Sequence, residues 1–163
     1  MSVCDVVIMG ALGRMGSTLA ALAQASPDHR LAAVLERPQN AAGLSRYDCV
    51  QGSDLDEVLP KVPGAVIIDF TAPVCSVDVA AKAARHGNPA VIGTTGLSTE
   101  QQALVAESAR TGRIFWAPNM SVGINTLLTV LPLLVEKLGP AYNLEIVETH
   151  HNKKADSPSG TAI

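Results

Sequence analysis

The sequence predicts an α/β fold in which a doubly wound parallel sheet is covered by helices. Strand-like and helix-like segments alternate with short links along most of the 163 residues, which favours parallel strands joined by right-handed crossovers. Hydrophobic residues make up 47% of the chain and aromatic residues only 3%, a profile typical of buried parallel strands under Ala-rich helices. This length allows one domain of ordinary size and the beginning of a second.

Short apolar runs and helical spacing mark the elements in order. Thr71 offers an N-cap for a helix that has Pro73 in its first turn and ends at Gly87, and Ser98 with Gln101 forms a capping-box pattern. The predicted strands cover residues 6–9, 31–35, 65–70, 90–92 and 114–116. The helices cover residues 14–25, 55–59 (capped by Ser53 or Asp54), 73–87 and 98–109.

The pattern changes after the last of these strands. Residues 124–138 predict one long apolar helix, which Pro132 could bend. Residues 143–149 alternate between apolar and polar side chains, as in a half-buried strand. We therefore divide the chain into a dinucleotide-binding domain over 1–121 and the start of an α+β domain over 122–163.

Charge and cysteine content exclude several classes of protein. The net charge is −3 and no basic stripe is present, so a nucleic-acid partner is not expected. Cys4, Cys49 and Cys75 lie far apart without C-x-x-C spacing, which favours reduced thiols over disulfides or a zinc site. The longest apolar run is too short to span a bilayer, and no signal peptide is evident. We expect a soluble, cytoplasmic protein without a metal.

The segment GALGRMG at 10–16 follows the first strand and opens the first helix. Its G-x-x-G-x-x-G spacing predicts a Rossmann-type phosphate loop. Gly10 permits the tight turn, Gly13 allows a diphosphate to approach the backbone, and Gly16 lets the helix pack on the strand. Free amides at the helix start, with Arg14 beside them, would face the phosphates. A strand–helix turn without a ligand is the alternative.

Residues at the ends of later strands favour a nucleotide. Glu36 follows the second strand, where an acidic side chain binds the ribose hydroxyls of NAD, and Arg37 could contact the 2′-phosphate of NADP. Ligands of open α/β sheets bind beyond the carboxyl ends of the strands. Small polar turns follow three strands there, at 70–72, 93–96 and 117–120. Each of these segments taken alone is better explained as a turn without a ligand. Three of them at one edge of the sheet predict a binding cleft.

The densest polar chemistry lies at 148–161. His150, His151, Lys153 and Lys154 supply proton donors and anion-binding groups together. The Ser-Gly-Thr sequence at 159–161 offers N–H and hydroxyl donors for a carboxylate. An exposed basic loop is the alternative, and a metal site would need further ligands that are absent nearby.

These motifs resemble the dihydrodipicolinate reductase family. The matching segments are GALGRMG at 10–16, LER at 35–37, IDFTAP at 68–73, VIGTTG at 91–96, APNMSVGIN at 117–125 and ETHHNKKADSPSGTA at 148–162. The resemblance implies hydride transfer from NADH or NADPH to 4-hydroxy-tetrahydrodipicolinate, a cyclic dicarboxylate, in lysine and diaminopimelate biosynthesis. It also implies that the second domain binds substrate and builds a homotetramer.

The resemblance assigns roles by position. His150 would be the principal acid/base and Lys154 the proton donor, while His151, Gly160 and Thr161 would hold the substrate carboxylates. The residues expected to contact the nucleotide are Gly10, Ala11, Leu12, Gly13, Arg14, Met15, Glu36, Arg37, Gly93, Thr94, Thr95, Ala117, Pro118, Asn119 and Met120.

Two departures and two alternatives accompany this assignment. Leu12 replaces a residue that is often smaller in the family, and family members extend beyond Ile163. We therefore expect residues 1–163 to bind nucleotide but to turn over substrate poorly or not at all. A non-catalytic NAD(P)H sensor, or a dehydrogenase of another small dicarboxylate or amino acid, could share the first domain. His150, Lys154 and the rest of the 148–162 segment favour the reductase.

Overall fold

The structure is a computed structural model that describes residues 3–150 and 152. It contains two compact units, Met1–Ala117 and Pro118–Ile163, which are treated separately below. The first unit holds the whole sheet, and the second begins with a long helix.

Six parallel strands form the sheet of the first unit. They are β1 (Cys4–Met9), β2 (His29–Leu35), β3 (Val50–Gly52), β4 (Val66–Asp69), β5 (Ala90–Ile92) and β6 (Ile114–Trp116). Their order across the sheet is β3-β2-β1-β4-β5-β6, and every neighbouring pair is parallel. The order reverses between β1 and β4, which is the position where ligands bind in sheets of this topology. The predicted doubly wound α/β fold is confirmed.

The helices connect these strands. They are α1 (Arg14–Ala25), α2 (Leu55–Val58), α3 (Pro73–His86) and α4 (Thr99–Ala109), with 3-10 segments at Pro38–Arg46 and Leu59–Lys61. The sequence prediction for α1 matches both ends, and the capping box of Ser98 and Gln101 at α4 is confirmed. Gly87 ends α3 with a left-handed φ of 73°, a conformation that glycine adopts without a steric penalty.

The core lies on both faces of the sheet, because neighbouring residues of a strand point to opposite sides. On β1, Val7 packs in one apolar cluster with Val79 of α3, whereas Ile8 packs in the other with Ala20 of α1. All four side chains are fully buried. Helices on both faces therefore hold the strand ends, and the loops that follow them, in fixed positions.

Two local predictions are wrong in the first unit, and a third is decided between its two candidates. The segment 50–52, for which no strand or helix was predicted, forms the edge strand β3, because its pairing with β2 compensates for its short length. Of the two predicted caps of α2, Ser53 and Asp54, the structure confirms Asp54, which accepts the Asp56 amide at 3.0 Å. Thr71 does not cap α3, because its hydroxyl donates to the Asp69 carboxylate instead and Ala72 occupies the N-cap position.

The second unit contains α5 (Val122–Leu138), which Ser121 caps and which includes Pro132. No residue of α5 is buried. The strand predicted over 143–149 is not formed among the described residues, because apolar alternation makes a strand only where a neighbouring strand supplies hydrogen bonds. None of the helices in the described part of the chain is long and apolar enough to cross a membrane.

Candidate functional site

A pocket of about 720 Å³ opens at the carboxyl ends of β1, β2 and β4, within the first unit. Its position is the switch point of the strand order, and its volume suits a small ligand or part of a dinucleotide. The pocket is lined by Met9, Gly10, Gly13, Arg14, Met15, Gly16, Leu35, Glu36, Arg37, Pro38, Ser53, Phe70, Thr71, Ala72 and Cys75.

The glycines of the first loop are required by close packing. Gly10 has a φ of +61°, and a Cβ there would lie 2.9 Å from Cγ2 of Thr71. A Cβ on Gly16 would collide with the carbonyl oxygen of Gly10, and one on Gly13 would lie 3.2 Å from the same atom. The predicted roles of Gly10 in the turn and Gly16 in helix packing therefore have a direct structural basis.

Hydrogen bonds and side-chain packing fix the loop between Gly10 and Gly13 to neighbouring segments. The amide of Ala11 donates to the carbonyl of Leu35 at 3.1 Å, and the hydroxyl of Tyr47 donates to the carbonyl of Ala11 at 2.9 Å. The side chain of Leu12 lies against Gly43. Ala11 and Leu12, predicted as nucleotide contacts, do not line the pocket, because they anchor the loop that does.

The start of α1 carries no side-chain cap. Gly13 occupies its N-cap position and supplies only backbone groups. The first turn of a helix leaves several amides without an intrahelical acceptor, and the helix dipole favours an anion there. Because Gly13, Arg14 and Met15 also line the pocket, this helix start fits a phosphate group.

Glu36 lies at the far end of the pocket and is held from both sides. Its side chain is 8% exposed, and its two carboxylate oxygens accept the amides of Leu12 at 3.3 Å and Arg37 at 2.9 Å. A carboxylate has about four acceptor positions, so capacity remains for hydroxyl groups of a ligand. The Arg37 side chain is 76% exposed, with its Nε 3.8 Å from Glu36.

A buried polar cluster joins the ends of β4 and β5. Asp69 is 0% exposed, and its Oδ1 accepts the amide of Thr71 at 3.0 Å and the Thr71 hydroxyl at 2.5 Å. Its Oδ2 lies 2.5 Å from Oγ of Ser76, which in turn lies 2.8 Å from Oγ1 of Thr94. Thr71 lines the pocket, and the cluster connects it to the predicted turn after β5.

That turn is also fixed through its backbone. The amide of Gly93 donates to the carbonyl of Asp69 at 2.8 Å, and Nε1 of Trp116 donates to the carbonyl of Thr94 at 3.1 Å. A side chain on Gly93 would collide with the ring of Phe70. Gly93, Thr94 and Thr95 do not line the pocket itself, although Phe70 and Thr71 beside them do.

The predicted contacts at 117–120 fall in both units. In the first unit, the amide of Ala117 donates to the carbonyl of Ile92 at 3.0 Å and extends the edge formed by β5 and β6. In the second unit, Oδ1 of Asn119 accepts the amide of Ser121 at 2.9 Å. Pro118 and Met120 belong to this second unit as well.

The predicted catalytic segment is only partly described. His150 is 41% exposed, and its Nδ1 lies 3.5 Å from a carboxylate oxygen of Glu148. His151, Lys154, Gly160 and Thr161 lie outside the described residues. Among residues 3–150 and 152, no group of three His, Cys, Asp or Glu side chains is placed to hold a metal ion.

Sequence reasoning missed two residues that shape the pocket. Tyr47 was not singled out because it lies in a stretch without apolar periodicity, although it is buried and bonds to the glycine loop. Asp69 was included only within a strand. A charged residue at the end of a run as apolar as Ala-Val-Ile-Ile is a signal of a buried hydrogen-bonded carboxylate, and it could have identified the cluster.

Comparison with protein families gives matches over almost the whole chain. The model described as dihydrodipicolinate reductase, N-terminus, matches residues 4–120. The model described as dihydrodipicolinate reductase, C-terminus, matches residues 123–163.

Individual relatives agree with these matches. A 4-hydroxy-tetrahydrodipicolinate reductase from Nitratidesulfovibrio vulgaris (strain DP4) is 62% identical over 158 residues, which are 97% of this chain and 61% of the relative. One from Hahella chejuensis is 40% identical and is covered to 62%. The chain thus spans about three fifths of the length of these relatives.

Solved structures show the same likeness. The dipicolinate-bound dihydrodipicolinate reductase from Paenisporosarcina sp. TG-14 superposes with a TM-score of 0.72 at 27% identity, covering 98% of this chain and 63% of that chain. A myo-inositol 2-dehydrogenase from Lactobacillus plantarum has a TM-score of 0.62 at 11% identity, covering 81% of this chain and 42% of that one. The second likeness concerns the fold alone.

Proposed function

The chain belongs to the dihydrodipicolinate reductase family, and from this premise we propose that it is the nucleotide-binding part of an NAD(P)H-dependent 4-hydroxy-tetrahydrodipicolinate reductase, together with the start of the substrate domain. One observation supports this proposal most directly: the uncapped start of α1 and the carboxylate of Glu36 line one pocket at the switch point of the sheet. In this fold a diphosphate binds at the start of the first helix and a ribose at an acidic residue after the second strand, and both groups line this pocket.

The residues present fit such a nucleotide. Gly13 leaves no side chain between the helix amides and a phosphate, and Arg14 adds a cation to the same wall of the pocket. Glu36 has acceptor capacity left for ribose hydroxyls. Of the predicted contacts, those that line the pocket are Gly10, Gly13, Arg14, Met15, Glu36 and Arg37. Ala11 and Leu12 support the loop from behind.

The remaining predicted contacts complete the proposal. We place the nicotinamide half of the nucleotide toward the turns after β5 and β6, which carry Gly93, Thr94, Thr95, Ala117, Pro118, Asn119 and Met120. The support is topological, because β4, β5 and β6 lie on the side of the switch point opposite to β2 and Glu36.

Acid–base chemistry and substrate binding are assigned to the 148–162 segment. The bound nucleotide supplies a hydride, and the protein must supply a proton and hold a doubly charged substrate. We propose His150 as the principal acid/base and Lys154 as the proton donor, with His151, Gly160 and Thr161 at the substrate carboxylates. The motif ETHHNKKADSPSGTA and the dipicolinate bound in the Paenisporosarcina structure support this assignment.

We also propose that NADH and NADPH are both accepted. Glu36 favours ribose hydroxyls, whereas the exposed Arg37 beside it can reach a 2′-phosphate.

The proposed domain boundary lies between residues 121 and 122, the proposed location is the cytoplasm, and the proposed assembly of the whole protein is a homotetramer. The family membership supports these three assignments.

Nucleotide binding is tested by fluorescence titration of the 163-residue chain with NADH and with NADPH, each repeated with pyridine-2,6-dicarboxylate. We expect both nucleotides to bind and the dicarboxylate to change the NADH signal. Binding of neither nucleotide would contradict the proposal. Binding without any effect of the dicarboxylate would contradict a substrate site within this chain.

The position of the nucleotide has its own test in the thiols. Burial raises the pKa of both the Cys75 and the Cys49 thiol, so both react slowly with alkylating reagents. Only Cys75 lines the pocket. We expect NADH to slow the alkylation of Cys75, measured by peptide mass spectrometry, and to leave Cys49 unchanged as an internal control. Equal protection of both thiols would contradict the proposed position.

A further inference from the structure

We propose that Asp69 is a positioning residue for the nicotinamide half of the nucleotide. It orients the Thr71 hydroxyl directly, so that Thr71 presents a hydrogen-bond acceptor at the pocket wall, and through Ser76 it fixes the buried Thr94 in the turn after β5. This inference rests on the proposed function and adds to it a residue that contacts no ligand.

The first step is the burial of the carboxyl group. Asp69 is fully buried at the end of an apolar strand, where an unpaired charge would be very costly. Among the described residues it forms no ion pair, and its partners are one amide and two hydroxyl groups. Such donors satisfy a carboxylate without a cation, so the cluster is built around its negative charge.

The second step is the direction of the hydrogen bonds. A carboxylate only accepts hydrogen bonds, and a serine hydroxyl has a single hydrogen to donate. The hydroxyl of Ser76 lies between Asp69 Oδ2 at 2.5 Å and Thr94 Oγ1 at 2.8 Å. Its hydrogen goes to the charged and closer acceptor. The hydroxyl of Thr94 must therefore donate to Ser76.

The same reasoning applies to Thr71, whose hydroxyl donates to Asp69 Oδ1. Both threonine hydroxyls thus donate their hydrogens inside the cluster. Thr94 is buried, and the Thr71 hydroxyl also bonds to the Cys75 thiol, so the remaining lone pair of Thr71 is the acceptor that faces a ligand. The ribose hydroxyls and the carboxamide N–H₂ of a nicotinamide riboside are donors, which such oxygens accept. The cluster therefore has the polarity that this half of the nucleotide requires.

The third step is location. Glu36 follows β2 on one side of the switch point, and Thr71 and Thr94 follow β4 and β5 on the other side. A dinucleotide with its diphosphate at the start of α1 and its adenosine ribose at Glu36 extends its second riboside toward β4 and β5. Asp69 lies beneath that region, behind Thr71 at the pocket wall.

A merely structural role for the cluster makes a different prediction. If Asp69 only stabilises the turns, its loss lowers stability and weakens every ligand of the pocket alike. If it sets the polarity of the two threonines, its loss weakens ligands that carry the nicotinamide riboside more than ligands that lack it. ADP keeps the adenosine and the diphosphate but lacks both the second ribose and the nicotinamide, so it separates the two cases.

The experiment compares NADH with ADP by isothermal titration calorimetry on the 163-residue chain. The variants are Ser76→Ala, which interrupts the connection to Thr94, and Asp69→Asn, which introduces an N–H₂ donor into the cluster. Ser108→Ala is the matched control, because its exposed hydroxyl donates to the Leu104 carbonyl within α4, away from the pocket lining. Thermal unfolding of each variant verifies the fold.

We expect Ser76→Ala to weaken NADH about tenfold, the effect of roughly one lost hydrogen bond, and to leave ADP within about twofold. Asp69→Asn has the larger effect on the same ratio, and Ser76→Ala carries the test if Asp69→Asn does not fold. A proportional loss for both ligands, or no loss for NADH, overturns the inference. If the unsubstituted chain binds neither ligand, the proposed function is overturned together with it.

Discussion

The helices of this protein begin in two different ways. The starts of α2, α4 and α5 are capped by the side chains of Asp54, Ser98 and Ser121. The starts of α1 and α3 have no side-chain cap, and both lie at the pocket. A side-chain cap satisfies the orphan amides of a helix within the protein itself. The difference indicates that the two uncapped starts have their amides available to a ligand.

The two uncapped starts are not equivalent. At α1 the N-cap is Gly13, so nothing beyond the backbone occupies the space in front of the amides. At α3, Pro73 removes one of the orphan amides altogether, and Thr71 directs its hydroxyl to Asp69. We infer that α1 binds the charged part of the ligand and that the start of α3 contributes the hydrogen-bond acceptor of Thr71.

The largest effect on nucleotide affinity is expected from a substitution that gives α1 an acidic N-cap like that of α2. Gly13 has extended backbone dihedrals that suit an acidic N-cap, so Gly13→Asp places a carboxylate on the amides proposed for the diphosphate. We expect nucleotide affinity to fall by about 100-fold or more, because a fixed anion both occupies the amides and repels the ligand.

The variant Gly13→Ala separates the effect of an added charge from the effect of an added side chain at position 13. Its Cβ would lie 3.2 Å from the Gly10 carbonyl oxygen, a tight contact without a charge. Titration with NADH should show a clearly smaller loss for Gly13→Ala than for Gly13→Asp. Equal affinities of the two variants would mean that the anion site is not at the start of α1.

The next effect concerns the other end of the pocket. Glu36→Gln removes the charge but keeps the shape, and we expect NADH affinity to fall about tenfold as the ribose hydroxyls lose a charged acceptor. NADPH should lose less, because the same change removes repulsion of its 2′-phosphate. Arg37→Ala should act in the opposite direction and weaken NADPH selectively.

The control for this pair is Glu107→Gln. Glu107 is an exposed carboxylate of α4 that lies 3.3 Å from Arg110, and it does not line the pocket. Fluorescence titrations of the four proteins with both nucleotides give the ratio of affinities. If the ratio of NADH to NADPH affinity is unchanged in Glu36→Gln and Arg37→Ala, these residues do not distinguish the two nucleotides, which would contradict their assigned roles.

A smaller and purely structural effect is expected at a capped helix. Ser98 accepts the Gln101 amide at 3.3 Å, and its own amide donates to the Gln101 side chain at 2.9 Å. Ser98→Ala should lower the free energy of unfolding by about 1 kcal/mol, measured by urea denaturation, with NADH affinity unchanged. A loss of NADH affinity in this variant would remove the distinction between capped and uncapped starts.

The sequence allowed the prediction of those parts that depend on local chemistry. Both ends of α1, the capping box of α4 and the glycine that ends α3 follow from side-chain pattern, turn residues and caps. The positions of the glycine loop and Glu36 also follow from the sequence, because their spacing relative to the first two strands is a local property.

Other features depend on partners far away in the sequence. The edge strand β3 exists because β2 lies beside it, and Thr71 loses its capping role because the Asp69 carboxylate competes for its hydroxyl. The role of Tyr47 at the carbonyl of Ala11 joins residues 36 positions apart. Local patterns carry no information about such contacts. For the same reason they predict a strand over 143–149, which no neighbouring strand among residues 3–150 and 152 completes.

The smallest effect is expected at the exposed, charged cap of α2. Asp54 accepts both the Lys82 ammonium at 2.8 Å and the Asp56 amide at 3.0 Å, and these two bonds, the Lys82 bond first, hold its pKa below the ordinary value of 3.8. A carboxyl whose pKa is lower in the folded state stabilises the protein above its unfolded pKa, and this contribution is lost as the pH falls through the folded pKa. Asp54→Asn keeps a capping oxygen but has no charge to titrate, so it should be slightly less stable than the unsubstituted chain at neutral pH and equally stable in acid. Thermal unfolding of both proteins between about pH 3 and about pH 7 measures this convergence. A difference in stability between the two proteins that stays constant over that range would contradict the prediction. It would show that Asp54 acts through its capping oxygen alone, as Ser98 does, and that its charge adds nothing at this helix start.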